Sequence, residues 1–211
     1  MINVAIIDDE ALMRSGLRMI LEGAGDMSVS VATSGGDAVE QIRGAEVDVV
    51  LLDLQMADRS GMDVLGELRL WESPPTVAIL TTFNTEANAS AALRAGASGF
   101  IVKDTDPLLL PALVRTLAGG GVVLSPEVSR NLFRACAPLS EEVRRRICSL
   151  SSREQDVLRQ LAAGASNGDI ARSLFLSTTT VKDHVSTILR KLDVSTRLQA
   201  ALIAERGGFG S

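Results

Sequence analysis

The chain has 211 residues, with two cysteines, one histidine, no tyrosine and a formal net charge of -5. Hydrophobic residues make up 46% and charged residues 22% of the chain, a balance that excludes intrinsic disorder. No apolar run approaches the roughly 18 residues of a membrane span, and the cysteines and the histidine are too few for a disulfide framework or a Cys/His zinc site. No targeting segment is expected ahead of the first strand, so the expected compartment is the cytoplasm.

The charge is distributed unevenly along the chain. Residues 1–131 carry a net charge of -9, and residues 132–211 carry +4. This contrast predicts different partners for the two parts, with the second part meeting an anion. Three consecutive arginines at 144–146 supply most of the positive excess, so charge alone is weak evidence for nucleic acid.

The first 120 residues alternate between strand and helix patterns. Short β-branched or apolar runs indicate five strands, at residues 4–7, 29–32, 47–52, 77–80 and 100–102. Apolar residues three or four apart indicate helices around 12–21, 38–42, 62–68 and 89–93, and Asp106-Pro107 predicts the start of a fifth. This alternation predicts an α/β fold with a doubly wound, five-stranded parallel sheet.

The pattern changes after Gly119-Gly120-Gly121, which ends the predicted sheet domain over residues 1–121. We interpret residues 122–149 as a linker with a short helix. Ser125-Pro126 offers one helix start, and residues 136–149, with a proline, a charge block and weak periodicity, leave room for another helix. Residues 150–211 carry only helix signals, and Ser151 and Glu154 form a capping box. A small all-α domain is predicted there, with helices near 152–162, 167–174, 178–192 and 196–205.

Polar side chains follow the carboxyl ends of four of the predicted strands. These ends lie on one edge of a parallel sheet, where open α/β sheets bind their ligands. The side chains expected to share that cleft are Asp8, Asp9 and Glu10 after the first strand, Asp53 after the third, Thr81 and Thr82 after the fourth, and Lys103 after the fifth. Acidic pairs in such loops are also common as helix caps, but capping does not account for the whole set.

The charges of this cleft predict its chemistry. Crowded carboxylates repel one another, and a hard divalent cation such as Mg²⁺ relieves the repulsion while also holding a phosphate oxygen. Asp53, at the tip of a buried strand, is the candidate nucleophile, because a carboxylate can attack phosphorus to give an acyl phosphate. Lys103 is expected to neutralise the phosphoryl charge, and the Thr81 hydroxyl is placed to donate to a phosphoryl oxygen.

The segments IIDDE, VVLLDLQM, ILTTF and GFIVKD closely resemble the receiver domain of two-component response regulators, which has a flavodoxin-like fold. The resemblance assigns the phosphorylation site to Asp53 as phosphoacceptor, Lys103 as phosphate partner, Thr81 as switch hydroxyl and Phe100 as switch aromatic. It implies a Mg²⁺ site built from Asp8, Asp9, Asp53 and the backbone carbonyl of Gln55. The sequence departs from the family at Ala57, where proline is usual, and this change restores a backbone amide donor.

Residues 166–192 read as a helix, a turn and a longer helix. In the longer helix, Val181, Val185, Ile188, Leu189 and Leu192 recur at the spacing of a buried face. The side chains that point away from that face are Thr179, Asp183, Ser186 and Arg190, and Lys182 and Thr187 flank them. A DNA major groove admits such a helix, but an ordinary solvated face explains the pattern equally well. The 3% aromatic content argues against modules that stack on bases.

Residues 150–201 resemble the LuxR-type helix-turn-helix, and its pairing with a receiver resembles the NarL/FixJ class of transcription regulators. The resemblance implies a sensor histidine kinase, double-stranded promoter DNA and a second copy of the chain as partners. Its DNA-facing positions fall on Lys182, Asp183 and Ser186, and its dimer contact falls partly on the final helix, residues 198–205. The predicted function is a response regulator in which Mg²⁺-dependent phosphorylation of Asp53 favours a dimerising state and controls transcription.

Two other functions stay open at this point. A magnesium-dependent phosphohydrolase could use Asp53, although Gln55 stands where a second catalytic acid would be expected. An atypical, phosphate-independent receiver could serve only as a dimerisation module. If phosphorylation does occur, slow self-dephosphorylation is expected, and Phe83 is expected to shield the acyl phosphate from water.

Overall fold

The computed structural model describes residues 1–81, 91–124 and 140–209. The strands are β1 (Ile2–Ile7), β2 (Met27–Thr33), β3 (Val49–Asp53), β4 (Thr76–Thr81), β5 (Gly99–Val102) and β6 (Val123–Leu124). The helices of the first part are α1 (Ala11–Glu22), α2 (Ala38–Arg43), α3 (Gly61–Leu68) and α4 (Leu110–Ala118), with residues 91–94 also helical. The helices of the second part are α5 (Glu141–Cys148), α6 (Ser152–Ala162), α7 (Asn167–Leu174), α8 (Thr178–Leu192) and α9 (Arg197–Arg206).

The described strands form one parallel sheet in the order β2-β1-β3-β4-β5-β6. The reversal of strand order beside β1 confirms the doubly wound α/β fold, but the prediction of five strands was one short. β6 pairs only Val123 and Leu124 with β5. Two residues after a glycine run are too few to show a period, so this strand forms because a pairing edge is present.

β3 shows how the sheet divides the core of the first part. Val50 and Leu52 pack on one face with the buried side chains of α2 and α3, whereas Val49 and Leu51 pack on the other face with those of α1 and α4. All five residues of β3 are buried. The apolar run at 47–52 therefore has the predicted cause, since both faces of this strand are covered.

The predicted start of the fifth helix at Asp106-Pro107 was early by three residues. The Asp106 carboxylate accepts a hydrogen bond from the Leu108 amide at 2.9 Å, which caps a turn over 107–109. The helix itself begins at Leu110, and Pro111 is the proline in its first turn. An Asp-Pro pair opens either structure, so local sequence could not separate them.

The second part is a bundle of helices whose bounds follow the prediction closely. α6, α7 and α8 have the predicted bounds, and α9 is shifted by one residue. α5 lies inside the segment interpreted as a linker, and its Ile147 packs into the bundle core with Val157 and Ile188. Ser125-Pro126, the other suggested helix start, lies outside the described residues. Within residues 1–81, 91–124 and 140–209, every helix lacks the length or the apolar character that a membrane span requires.

Glu154 fastens the start of α6 to the end of α8. Its carboxylate accepts from the Ser151 amide at 2.7 Å and lies 2.7 Å from Lys191 Nζ. Burial alone would raise the pKa of Glu154, but hydrogen bonds from Lys191 and Ser151 outweigh burial and hold it below the ordinary value of 4.5. A carboxylate with a depressed folded pKa stabilises the fold above its unfolded pKa, and this stability is lost as the pH falls.

We therefore expect Glu154→Gln to lower the free energy of unfolding by about 1 kcal/mol near neutral pH. The glutamine keeps the cap but loses the charge, so the gap to the wild type should close below the ordinary pKa of 4.5. Urea denaturation of both proteins across that range measures the gap. A gap that stays constant with pH would contradict the role given to the Glu154 charge.

Candidate functional site

Three strand ends bring their polar residues together at the carboxyl edge of the sheet. Asp8 follows β1, Asp53 is the last residue of β3 and Lys103 follows β5. Lys103 Nζ lies 2.8 Å from Asp53 Oδ2, 2.9 Å from Asp8 Oδ2 and 3.5 Å from Glu10 Oε1. Asp8 and Asp53 are buried, with 0% and 5% exposure. The convergence expected from parallel topology is thus present for these side chains.

The ammonium of Lys103 offsets part of the negative charge of this buried pair. Burial alone would lower the pKa of Lys103, but its hydrogen bond to Asp53 and the negative charges of Asp53 and Asp8 outweigh burial and raise it above the ordinary value. Lys103 therefore stays protonated at neutral pH. A group that adds negative charge to Asp53 would meet a cation already in place.

The oxygens of Asp8, Asp9 and Asp53 fit a hard divalent cation. One carboxylate oxygen from each of these residues lies within 4.8 Å of the other two. Asp8 Oδ2 is buried and, among the described residues, has Lys103 Nζ at 2.9 Å as its one polar partner. An oxygen with a free lone pair beside two further carboxylates is a suitable ligand for Mg²⁺. Gln55 stands next to this cluster, since its amide donates to Asp53 Oδ1 at 3.2 Å.

Backbone amides hold two of these carboxylates in position. Glu10 donates to Asp8 Oδ1, and Ala57 donates to Asp9 Oδ2, both at 2.9 Å. The second bond joins the loop after β1 to the loop after β3. Proline at position 57 could not make it. Alanine in place of the usual proline at position 57 therefore adds a backbone hydrogen bond. The sequence predicted the free amide of Ala57 but not Asp9 as its acceptor.

Gly61 also shapes this site, although the sequence patterns did not point to it. It begins α3 directly after the N-cap Ser60, and its amide donates to the Leu54 carbonyl at 3.2 Å. A Cβ at position 61 would lie 2.1 Å from the Asp53 carbonyl oxygen and 2.7 Å from Leu54 Cα. Only glycine allows α3 to approach the tip of β3 so closely. The sequence feature that could have indicated this close approach is a glycine at the first helical position, directly after the N-cap serine.

The two residues that the resemblance assigns to a switch lie on neighbouring strands. Thr81 ends β4, where its backbone pairs with Val102 of β5. The Thr81 side chain, together with Thr82 and Phe83, lies outside the described part of the chain. Phe100 is 1% exposed and packs in the same cluster as Ala92 and Leu93. The aromatic ring is therefore turned into the core.

The outward face of α8 is open to solvent. Ser177 caps the helix by accepting from the Thr180 amide at 3.0 Å, and Val181, Ile188 and Leu192 are buried beneath it. The side chains assigned to DNA from the sequence are all exposed: Thr179, Lys182, Asp183, Ser186 and Arg190. Phe175 makes the turn between α7 and α8 with a left-handed backbone, at φ 55°. This is the geometry of a helix-turn-helix whose second helix has one face exposed to solvent.

Comparisons with known proteins identify a family for each of the two parts of the chain. Residues 4–115 match the response regulator receiver domain, and residues 148–204 match the luxR family of bacterial regulatory proteins. The nitrate/nitrite response regulator protein NarP of Escherichia coli is 38% identical over 95% of this chain and 93% of its own length. The transcriptional regulatory protein LnrK of Bacillus subtilis is 34% identical over 99% of this chain and 98% of its own length.

Solved structures give the same result. The response regulator ChrA of a heme-sensing two-component system is 36% identical, with 99% of this chain and 98% of that chain covered and a TM-score of 0.54. RcsB of Salmonella typhimurium is 25% identical, with 97% and 98% covered and a TM-score of 0.58. A receiver joined to a LuxR-type helix-turn-helix defines a class of proteins that regulate transcription. This chain belongs to the NarL/FixJ-type two-component response regulators.

Proposed function

We propose that Asp53 is the phosphoacceptor through which a sensor histidine kinase controls DNA binding by this protein. An Asp53 carboxylate oxygen forms the new bond to phosphorus as the phosphorus–nitrogen bond of the kinase phosphohistidine breaks. The imidazole nitrogen leaves with the electron pair. The observation that carries the proposal is the 2.8 Å contact of the buried Asp53 with Lys103, which supplies a fixed cation beside the acceptor.

The same pocket supports a resident Mg²⁺ ion. Asp8, Asp9, Asp53 and the Gln55 carbonyl would hold it, and when bound it would neutralise phosphoryl charge in the transition state. Thr81 would donate its hydroxyl to a phosphoryl oxygen, and Phe100 would follow its movement. Slow hydrolysis of the acyl phosphate would return the protein to its resting state. The cytoplasm is the proposed compartment, because a kinase phosphohistidine and promoter DNA both occur there.

We propose that the phosphorylated protein binds promoter DNA as a homodimer. The exposed side chains of α8 form the DNA-reading face, and the second part of the chain has a net charge of only +4 over 132–211. Two such weakly basic readers on one duplex act at a high effective concentration, so dimerisation raises affinity for DNA.

The proposal is tested by DNA affinity with and without phosphorylation. Fluorescence anisotropy with promoter DNA should show tighter binding after treatment with a small acyl phosphate and Mg²⁺. Asp53→Asn should show no change on the same treatment. Equal affinity of the treated and untreated wild type would instead indicate a phosphate-independent receiver. Steady multiple-turnover hydrolysis of phosphate esters would indicate a phosphohydrolase.

Ala57→Pro tests the pocket without relying on phosphorylation. The proline removes the amide that donates to Asp9 Oδ2, so Asp9 is no longer fixed before the metal arrives. We expect Mg²⁺ to bind about fivefold more weakly, as for the loss of one partly exposed hydrogen bond to a charged group. Isothermal titration calorimetry measures this. Ala57→Gly keeps the amide and should bind as the wild type does, so equal affinity of all three proteins would contradict the assignment.

Single substitutions on α8 separate base reading from phosphate contact. Asp183 is expected to accept from a cytosine amino group deep in the groove, so Asp183→Asn should relax the preference at one base pair. Lys182→Ala should instead weaken binding to all sequences and reduce the salt slope by about one. Arg190 is expected to hold phosphate as Lys182 does. The affinities of both proteins are measured for a set of single-base operator variants. If Asp183→Asn discriminates among them as the wild type does, the contact between Asp183 and a cytosine is contradicted.

A further inference from the structure

Helix α5 belongs to the folded bundle but lies almost entirely outside both family matches. The receiver match ends at residue 115 and the luxR match begins at residue 148, so only Cys148 of α5 is covered. Ile147 nevertheless packs into the bundle core, and Ser140 caps the helix by accepting from the Val143 amide at 3.3 Å. The family matches therefore assign no role to this helix, although it is a fixed part of the structure.

Arg146 fastens α5 to the end of α8. Its Nη1 lies 2.9 Å from Asp193 Oδ2 and donates to the Leu192 carbonyl at 3.1 Å, and its Nη2 donates to Glu142 Oε1 at 2.8 Å. The Leu192 carbonyl is one of the last four of α8, which find no partner within their own helix. Helix α5 thus sits beside the last turn of α8, and its position relative to that helix is fixed.

The other two arginines of the run face the solvent. Arg144 and Arg145 are exposed, and neither makes an ion pair within the described part of the chain. Val143 and Ile147 pack toward the bundle core, and at about 100° per residue the two positions after Val143 lie beside and opposite that inward face. We call these two arginines the Arg144–Arg145 patch. They project from the same turn of helix as the anchor Arg146.

The arginine run carries most of the positive charge of the second part of the chain. Residues 132–211 have a net charge of +4, and positions 144–146 supply three of these charges, which leaves +1 for the rest. Neutralisation of phosphates supplies nearly all of the sequence-independent affinity of a protein for DNA. A surface that holds two of the four excess charges is therefore expected to lie where phosphates pass.

The length of α8 carries its last turn toward the edge of the groove. Its 15 residues span about 22 Å, whereas the major groove of B-DNA is about 12 Å wide. Helix-turn-helix proteins contact base edges with the N-terminal residues of the second helix. We therefore expect the last turn of α8, where Arg190 is exposed and α5 is attached, to meet the phosphate backbone that borders the groove.

We infer that the Arg144–Arg145 patch binds DNA phosphates next to the site that α8 reads. The inference rests on the proposed function only in taking α8 as the DNA-reading helix. The contact is made to backbone oxygens, so it raises the affinity for every sequence and adds no preference for a base. The fixed position of α5 contributes to the affinity, because an element that is already ordered loses less freedom on binding.

The charges of α5 have a second explanation, which is the stability of the helix itself. Glu141 and Glu142 stand in its first turn, and Arg145 and Arg146 stand in its last turn, as the helix dipole favours. This explanation predicts an effect of the arginines on unfolding and none on DNA binding. Measurement of both properties therefore separates the two explanations.

The test compares the full-length wild type with Arg144→Gln/Arg145→Gln, without a phosphodonor. Glutamine removes both charges but is still a good helix former. Fluorescence anisotropy should show that the slope of log affinity against log salt concentration falls by about two, one for each lost phosphate contact. The ratio of wild-type affinity to variant affinity should then be about tenfold larger at about 50 mM salt than at about 200 mM.

Two controls locate the effect on the molecule and on the DNA. Arg18→Gln/Arg115→Gln removes the same number of charges from exposed receiver arginines and should leave the salt slope unchanged. The DNA is a site that the wild type selects from random duplexes, with and without about five added base pairs, half a helical turn, at each end. The added pairs should strengthen binding of the wild type and of the receiver variant, but not of Arg144→Gln/Arg145→Gln.

Each outcome supports or overturns the inference. An Arg144→Gln/Arg145→Gln protein with the wild-type salt slope would overturn it, whether or not its free energy of unfolding falls. An equal gain of that protein and the wild type from the added base pairs would overturn it as well. If Lys182→Ala weakens binding and the arginine variant does not, the inference fails alone. If the arginine variant binds more weakly but a phosphodonor leaves wild-type affinity unchanged, the proposed function fails alone.

Discussion

Gly61→Ala should lower the free energy of unfolding of the receiver by about 3 kcal/mol and stop phosphorylation, since it forces overpacking against fixed groups. The added Cβ would lie 2.1 Å from the Asp53 carbonyl oxygen. The clashing atoms belong to the backbone at the tip of β3, so no side chain can turn aside. Relief requires a shift of α3 or of the strand end that carries Asp53, and either movement separates Asp53 from Lys103.

Gly66→Ala is the matched control for this prediction. Gly66 lies in the same helix, and a Cβ there would meet no atom within 4 Å among the described residues. Alanine is the better helix former, so this variant should be as stable as the wild type or more stable by up to about 1 kcal/mol. Guanidinium denaturation of both variants measures the difference. Equal stability of Gly61→Ala and Gly66→Ala would contradict the close approach of α3 to β3.

Lys103→Met should produce the second large effect. Lys103 is the cation 2.8 Å from Asp53 and 2.9 Å from Asp8, and its side chain is only 9% exposed. Removal of one partner from a buried ion pair leaves an uncompensated charge, which costs about 3 kcal/mol. The variant is therefore expected to unfold at a distinctly lower denaturant concentration when Mg²⁺ is absent.

Mg²⁺ should restore part of the stability that Lys103→Met loses. In the variant the cation would meet carboxylates that no ammonium neutralises, so it should raise the denaturation midpoint more than in the wild type. Lys182→Met is the control, since Lys182 is exposed on α8 and should alter neither the midpoint nor its response to Mg²⁺. An identical Mg²⁺ response in Lys103→Met and the wild type would contradict a shared acidic site.

Features that depend on local sequence were predicted well. The bounds of α6, α7 and α8 follow from apolar spacing and from serine caps, because a helix end is specified within one turn of chain. β3 was also predicted, because its buried apolar residues form a continuous run in the sequence. The convergence of Asp8, Asp53 and Lys103 also followed, because parallel topology places the strand ends on one edge.

Features that depend on distant contacts could not be predicted. β6 exists only because β5 offers an edge, and the acceptor of the Ala57 amide is 48 residues away in the sequence. Helix α9 was expected near 196–205, but its sequence does not show what its apolar residues pack against. Leu198 and Leu202 pack with the α2–α3 side of the sheet, whereas Ala200 and Ala204 pack in the core of the helical bundle. A helix was allowed within 136–149, but the bounds of α5 could not be predicted, because its three arginines at 144–146 interrupt the apolar pattern that ends in Ile147.

The location of the phosphoryl group is the sharpest test of the proposed phosphorylation at Asp53. The purified protein is treated with a small acyl phosphate, and intact mass with peptide mapping then identifies the modified residue. We predict one phosphoryl group on Asp53, formed only when Mg²⁺ is present and absent from Asp53→Asn. A phosphoryl group on another residue, or the same yield on Asp53 after Mg²⁺ is chelated, would contradict it.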